Sequence, residues 1–195
     1  MILDCDRVAG SCSGGKPRFA VEWYINHGTP APGAYHGYVA KQETCGLTAN
    51  TKMLGTKIFR KFYNFHIYTD QQLMWLTNRN TISACIYADF CVQHYSGGYF
   101  LGEAPECRCN KYYYANHAIA LVGYGYMEPE TKSKAFWILR NSWGTCWGMA
   151  GYMHLAAQQI TDRKYGIANI RMDVTWLAPN KGVGGKNCQT CEMNN

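Results

Sequence analysis

No apolar run in these 195 residues approaches the roughly 20 that a membrane span requires. The opening Met1-Ile2-Leu3-Asp4-Cys5-Asp6 lacks a basic region followed by an apolar one, so no export signal is visible in this chain. Charge is sparse, at 16% of residues, and the formal net charge of +6 comes from scattered Lys and Arg rather than a basic run. Without such a run or a nucleic-acid motif, neither nucleic acid nor a membrane is expected as a partner, and the charge serves solubility. General disorder is also excluded, because 47% hydrophobic content is that of a globular chain.

Cysteine is plentiful by contrast. Ten in a chain of this length point to an oxidising compartment, since cytosolic proteins seldom accumulate so many without a metal or redox role.

The most informative stretch runs from Asn116 to Tyr152. Two β-favouring runs, His117 to Tyr124 and Ala135 to Asn141, flank the charged loop Met127 to Lys134, which contains Pro129. The predicted unit is an antiparallel hairpin. With the turn centred near Pro129, facing residues have numbers summing to about 258, which sets Asn141 opposite His117. At that separation the Asn141 amide can reach an imidazole nitrogen and fix its tautomer, completing the second half of a nucleophile, base and orienter relay.

Asn-His-Ala-Ile-Ala-Leu-Val-Gly-Tyr-Gly from Asn116, followed by Trp-Ile-Leu-Arg-Asn-Ser-Trp-Gly-Thr-Cys-Trp-Gly-Met-Ala-Gly-Tyr from Trp137, resembles the histidine and asparagine blocks of the papain-like cysteine peptidases, close to the cathepsin L type. Leu3-Asp4-Cys5-Asp6 and Gly10-Ser11-Cys12-Ser13-Gly14-Gly15 resemble that family's V-D-C-D and G-C-x-G-G blocks, so the likeness extends from Leu3 to about Ile170. The resemblance implies an α+β, two-lobed fold with an antiparallel β lobe, and peptide-bond hydrolysis through a thioester. It makes His117 the catalytic base, Asn141 its orienter and Trp143 the indole that shields their hydrogen bond. A peptide or protein is the implied substrate, no cofactor is implied, and the family's locations are lysosomal, vacuolar or secreted.

The resemblance also implies substrate contacts. Gly14 and Gly15 take the place where backbone pairs with an extended substrate. Cys85, Ala115 and Ile170 fall on the pocket for the side chain two residues before the cleaved bond, which should be apolar, and Asn116 and Trp143 are also expected substrate contacts. For Cys85 ordinary core packing is an equal alternative. Cys5 is expected to pair with Cys45.

The family's nucleophile signature, C-G-[SA]-C-[WY], occurs nowhere in the sequence, and counting back about 130 to 150 residues from the histidine runs past Met1. The chain is therefore expected to be N-terminally truncated relative to the family, with the nucleophile, the oxyanion glutamine and the partner of Cys12 in a missing segment or second chain. Three readings stand: a peptidase fragment, a non-catalytic peptide-binding module, and a hydrolase in which Cys12 is the nucleophile of a G-x-[S/C]-x-G elbow.

A partial helical lobe is expected over 1–64, a β-rich lobe over 65–176 and a cysteine-containing tail over 177–195. Pro17 at a helix start and Gly28 after His27 predict a helix whose apolar face is Phe19, Ala20, Trp23 and Tyr24, left uncovered if the nucleophile helix is missing. Thr69-x-x-Gln72 is a capping box ahead of a helix over Asp70 to Asn78. Strands are predicted at Thr81 to Tyr87, around Tyr99-Phe100 and from Gly151 to Ala157, whereas 28–57 reads as loop. Tyr165 stands where the family has a cysteine, which leaves Cys107 or Cys109 without its family partner. A zinc site would need Cys188 and Cys191 with one of these; His36, His66, His94 and His154 lack ligand spacing, and no metal is expected.

Overall fold

The computed structural model describes residues 1–8, 10–54, 59–67, 69–107, 114–157 and 164–179. The chain divides into two compact units, one formed by Met1–Phe62 with the segment from Leu177 onward, the other by Tyr63–Trp176.

The first unit opens with helix α1 (Ile2–Cys5), a single 3-10 turn (Ser11–Ser13) and helix α2 (Pro17–His27), followed by the two-residue strands β1 (Thr29–Pro30) and β2 (Met53–Leu54). Pro17 begins α2 because its missing N–H has no intrahelical partner at that position anyway. Gly28 ends α2, with its N–H on the Tyr24 carbonyl. None of the α2 side chains is fully buried.

Near the start of the unit, buried Asp4 accepts from the Glu43 N–H at 2.8 Å and from the Tyr35 hydroxyl at 3.0 Å. Tyr35 in turn accepts from the Gly46 N–H. The Glu43 N–H, chiefly, holds the Asp4 carboxyl below the ordinary carboxylate range against the opposing effect of burial. The expected disulfide Cys5–Cys45 closes this region. Among the described residues of 28–57 loop dominates as expected, with β1 and β2 as short strands.

The second unit is built on strands β4 (Ile82–Ile86), β5 (Tyr99–Phe100), β6 (His117–Glu128), β7 (Ser133–Arg140) and β8 (Tyr152–Ala156), in the order β4-β6-β7-β8-β5; β3 (Phe59–Phe65) enters this unit at Tyr63, and β9 (Asp173–Pro179), which lies beside β4, leaves it at Trp176. Pairing is antiparallel for β4 with β6 and β9, β6 with β7, and β7 with β8. The two residues of β5 depart from the antiparallel expectation by running parallel to β8.

Alternation along the strands selects the core face. Ile82, Ala84 and Ile86 of β4, Ile119 and Leu121 of β6, Trp137 and Leu139 of β7, and Met153 and Leu155 of β8 are buried in one cluster. Helix α3 (Asp70–Thr77) adds Leu73 and Leu76 to it. The capping box forms as predicted, with Thr69 Oγ1 accepting from Gln72 N–H and Gln72 Oε1 from Thr69 N–H. On the opposite sheet face, Phe136 packs against Tyr99 and His154 at ring separations of 4.9 and 4.5 Å.

The β6–β7 hairpin forms, but with a different register from the one centred on Pro129. Ala120 faces Arg140 and Leu121 faces Leu139, two residues off, and beyond a bulge between Leu121 and Gly123 the offset grows to three. The charged loop is shorter than its composition suggests because Glu128 and Ser133 continue the ladder. Their side chains hydrogen-bond, and Lys134 pairs with Glu128, so these polar residues are satisfied inside the strands.

Cys107 is joined to Cys91 in a helical turn, α4 (Phe90–Gln93), and so is bonded to a cysteine other than the family partner whose position Tyr165 occupies. This also removes Cys107 from any zinc set. Cys109, Cys188 and Cys191 lie outside the described residues.

Candidate active site

His117 begins β6 and Asn141 follows the last residue of β7. Despite the shifted register, the side chains meet, with His117 Nε2 at 2.7 Å from Asn141 Oδ1. The contact is diagonal across the strand pair, within reach because Asn141 is already free of the ladder. Its own N–H donates instead to the Gly151 carbonyl at 2.9 Å.

The hydrogen-bond network fixes the tautomer. The Ser142 N–H donates to Asn141 Oδ1 at 2.7 Å, which identifies that atom as the amide oxygen. An oxygen can only accept, so His117 Nε2 carries the proton it donates. In the neutral ring Nδ1 is then a bare lone pair, the form a general base requires. Asn141 Nδ2 is buried without a hydrogen-bond partner among the described residues, so one side of this amide is desolvated without compensation.

Trp143 lies over the pair, its ring 4.5 Å from the imidazole and tilted by 32°. Trp147 meets Trp143 edge-on at 5.3 Å, and its indole N–H is shared between the carbonyls of Val92 and Gln93, both at 3.1 Å. An apolar roof therefore stands over the hydrogen bond and is fastened to the end of α4.

The other expected contacts separate into groups. Cys85 is half-buried on the β4 face opposite Ile82, Ala84 and Ile86, and its thiol is not in a disulfide. Its partner in β6 is Ala118, an exposed position next to His117 that the sequence reading passed over. Strand alternation starting from His117 was the signal for it. Ala115 is half-buried just before β6.

Asn116 is spent locally. Its Oδ1 accepts from the Ala88 N–H at 2.8 Å and its Nδ2 donates to the Ala88 carbonyl at 3.3 Å, which fastens the entry of β6 to the exit of β4. Ile170 is 1% exposed and packed in the core cluster.

In the first unit, Gly14 and Gly15 are exposed. Gly14 has φ 90° with open space where a side chain would stand, a conformation that glycine alone adopts without strain. Cys12 is exposed and reduced in the 3-10 turn. A nucleophile elbow needs a strand leading into the turn and a strained backbone at the nucleophile. Here α1 precedes the turn, and the positive φ falls on Ser11 rather than Cys12. No three His, Cys, Asp or Glu among the described residues are grouped to hold a metal ion. No helix among them is long and apolar enough to cross a membrane.

Residues 1–174 match the family described as papain family cysteine protease. Ananain from Ananas comosus is 31% identical over 173 residues, covering 88% of this chain and 45% of that protein. Cathepsin 7 from Rattus norvegicus is 32% identical over 176 residues, covering 88% of this chain and 50% of that protein. The chain thus spans half or less of the length of these relatives. Among solved structures, a cysteine protease of Carica candamarcensis in complex with E-64 superposes with a TM-score of 0.75 at 25% identity, over 92% of this chain and 76% of that one. The family match spans both His117 and Asn141, and the chain belongs to the papain family of cysteine proteases.

Proposed function

We propose that His117 and Asn141 are the base and orienter of a cysteine-peptidase centre whose thiol is supplied by residues other than those of this sequence. The observation that carries the reading is the 2.7 Å bond from His117 Nε2 to Asn141 Oδ1, which leaves Nδ1 as the basic nitrogen. A thiol within reach of Nδ1 gives up its proton there, forming a thiolate and imidazolium pair. The thiolate attacks the peptide carbonyl carbon, and the tetrahedral intermediate collapses as Nδ1–H protonates the departing amine. Water then attacks the thioester, Nδ1 takes a proton from it, and release of the acid restores the thiol.

Trp143 keeps water from competing for the bond that orients the ring. Cys85 and Ala118 line an apolar position for the substrate, with Ala115 at the start of β6, and the exposed backbone at Gly14 and Gly15 offers hydrogen bonds to an extended peptide. Disulfides Cys5–Cys45 and Cys91–Cys107 suit a lysosomal, vacuolar or secreted location. The open backbone at Gly14 also favours a second reading, in which the chain binds peptides without cleaving them.

The test supplies the thiol in trans. The chain alone should not cleave a fluorogenic peptide with an apolar residue two positions before the scissile bond. Adding a synthetic peptide that carries the C-G-S-C-W segment should produce turnover, abolished by His117→Ala and unaffected by Cys12→Ala. Turnover by the chain alone that is lost in Cys12→Ala would make Cys12 the nucleophile. Binding of the substrate peptide without cleavage in either arrangement, followed by Trp fluorescence, would establish the second reading.

A further inference from the structure

Asn141 has no strand ladder to hold it, since β7 ends at Arg140. Its backbone hangs on the Gly151 carbonyl, and Gly151 closes a turn whose own bond runs from its N–H to the Trp147 carbonyl at 2.8 Å. Met149 and Tyr152 exchange two backbone hydrogen bonds inside that turn, at 2.9 and 3.1 Å. The orientation of Asn141 is therefore inherited from wherever the 147–151 turn is docked.

It is docked on Tyr95. The Gly148 N–H donates to the Tyr95 carbonyl at 3.2 Å, and the Tyr95 ring lies 5.5 Å from that of Trp147. Gly148 has φ 57°, and a Cβ there would stand 3.0 Å from Tyr95 Cδ1, 3.1 Å from Cε1 and 2.5 Å from the Tyr152 carbonyl oxygen. The ring thus rests against the bare Cα of Gly148. At its far end the Tyr95 hydroxyl donates to the Gly98 carbonyl at 2.5 Å and accepts from the His154 N–H at 3.3 Å. The ring is held at both ends and is 7% exposed.

We propose that the Tyr95 ring is a positioning residue for the His117–Asn141 pair, setting the height of the 147–151 turn and through Gly151 the orientation of the Asn141 amide. The role rests on the base-and-orienter reading of that pair, but it concerns the geometry of the pair and is readable without a nucleophile or a substrate. The hydroxyl anchors the ring, while the flat ring face makes the contact that the turn needs.

The 15N-labelled full chain allows a direct test by NMR, with the His117 Nε2 proton and ring nitrogens as reporters and the amides of β4 and β6 as the control for folding. Tyr95→Phe keeps the ring face and should leave the Nε2 proton as it is. Tyr95→Leu removes the face, and the Nε2 proton should exchange with solvent about tenfold faster, the factor expected for loss of one net hydrogen bond. The ring nitrogens should also shift toward a mixture of tautomers. Gly148→Ala pushes on the Tyr152 carbonyl as well as on the Tyr95 ring, and should loosen the pair from the side of the turn with the Tyr95 hydroxyl bonds intact. An unchanged His117 signal in folded Tyr95→Leu overturns the proposal; if Tyr95→Leu does not fold, Tyr95→Met, which fills the space without a flat ring face, decides in its place. A failure of peptide cleavage in trans would sink the catalytic reading and leave this result standing, and the reverse also holds.

Discussion

His117 presents its Nδ1 lone pair because one oxygen, Asn141 Oδ1, takes two donors, the Ser142 N–H and His117 Nε2–H. Replacing Asn141 with Ala removes that acceptor and also removes the buried, unpaired Nδ2. Two net hydrogen bonds, about 0.5–1.5 kcal/mol each, are lost, while removing an uncompensated buried donor relieves about 1–3 kcal/mol, so the two effects oppose each other. Asn141→Ala should therefore change the unfolding free energy by less than about 1 kcal/mol. It should nevertheless shift His117 from the Nε2–H tautomer to a mixture, readable in the 15N shifts of the ring. A large loss of stability with an unchanged tautomer would show that the amide serves packing rather than orientation.

In the β6–β7 hairpin a glycine stands where the two strands are most crowded. Gly125 faces Phe136, and a Cβ at Gly125 would lie 2.6 Å from the tip of that ring. The ring has little room to move, since Tyr99 and His154 pack on it. Gly125→Val, although β-favouring, should destabilise the chain by about 1–3 kcal/mol, the usual range for overpacking, in urea unfolding. A neutral or stabilising result would mean that the aromatic cluster on this sheet face is loosely packed. The sequence announced these strands through alternation and β-branched content, but not the bulge between Leu121 and Gly123 or the tight turn after Glu128. Both depend on side chains satisfying one another across strands, as Glu128, Ser133 and Lys134 do, and a count centred on Pro129 carries no information about that.

For the whole molecule, the two units differ in how they are held. The second has a continuous buried cluster; in the first, α2 buries no side chain completely and the chain is tied by Cys5–Cys45 and the bonds around Asp4. Hydrogen exchange should therefore find α2 amides opening at lower free energy than those of β4, β6 and β7. Removing the disulfide in a Cys5→Ala, Cys45→Ala double variant should cost the first unit about 2–4 kcal/mol and lower α2 protection further. Equal protection in both units would contradict this. Acid acts on the second unit through His154, whose pKa is pushed below the ordinary imidazole value by burial against Phe136 and Tyr99. Below about pH 6.5 the unfolded chain takes up a proton that the folded chain resists. This contribution to stability is thus complete above about pH 6.5 and is lost as pH falls through the folded value. His154→Leu should flatten that part of the pH profile of thermal unfolding, and an unaltered profile would remove His154 as its source.

The sequence by itself determined the family, the α+β class, the helices begun by Pro17 and by the Thr69–Gln72 capping box, the strands β4 to β8 though not β1, β2, β3 or β9, and the pairing of Cys5 with Cys45. These are local signals, caps and alternation, or long motifs in which many residues agree. It also named His117 and Asn141, since their neighbours form the family's blocks. Only the tertiary structure decided that they meet diagonally in a shifted register, that Cys91 takes the partner role for Cys107, that Ile170 belongs to the core, and that Asn116 is consumed by Ala88. Each of these depends on which atoms compete for one position in space, and burial and hydrogen-bond satisfaction decide that competition among residues far apart in the chain.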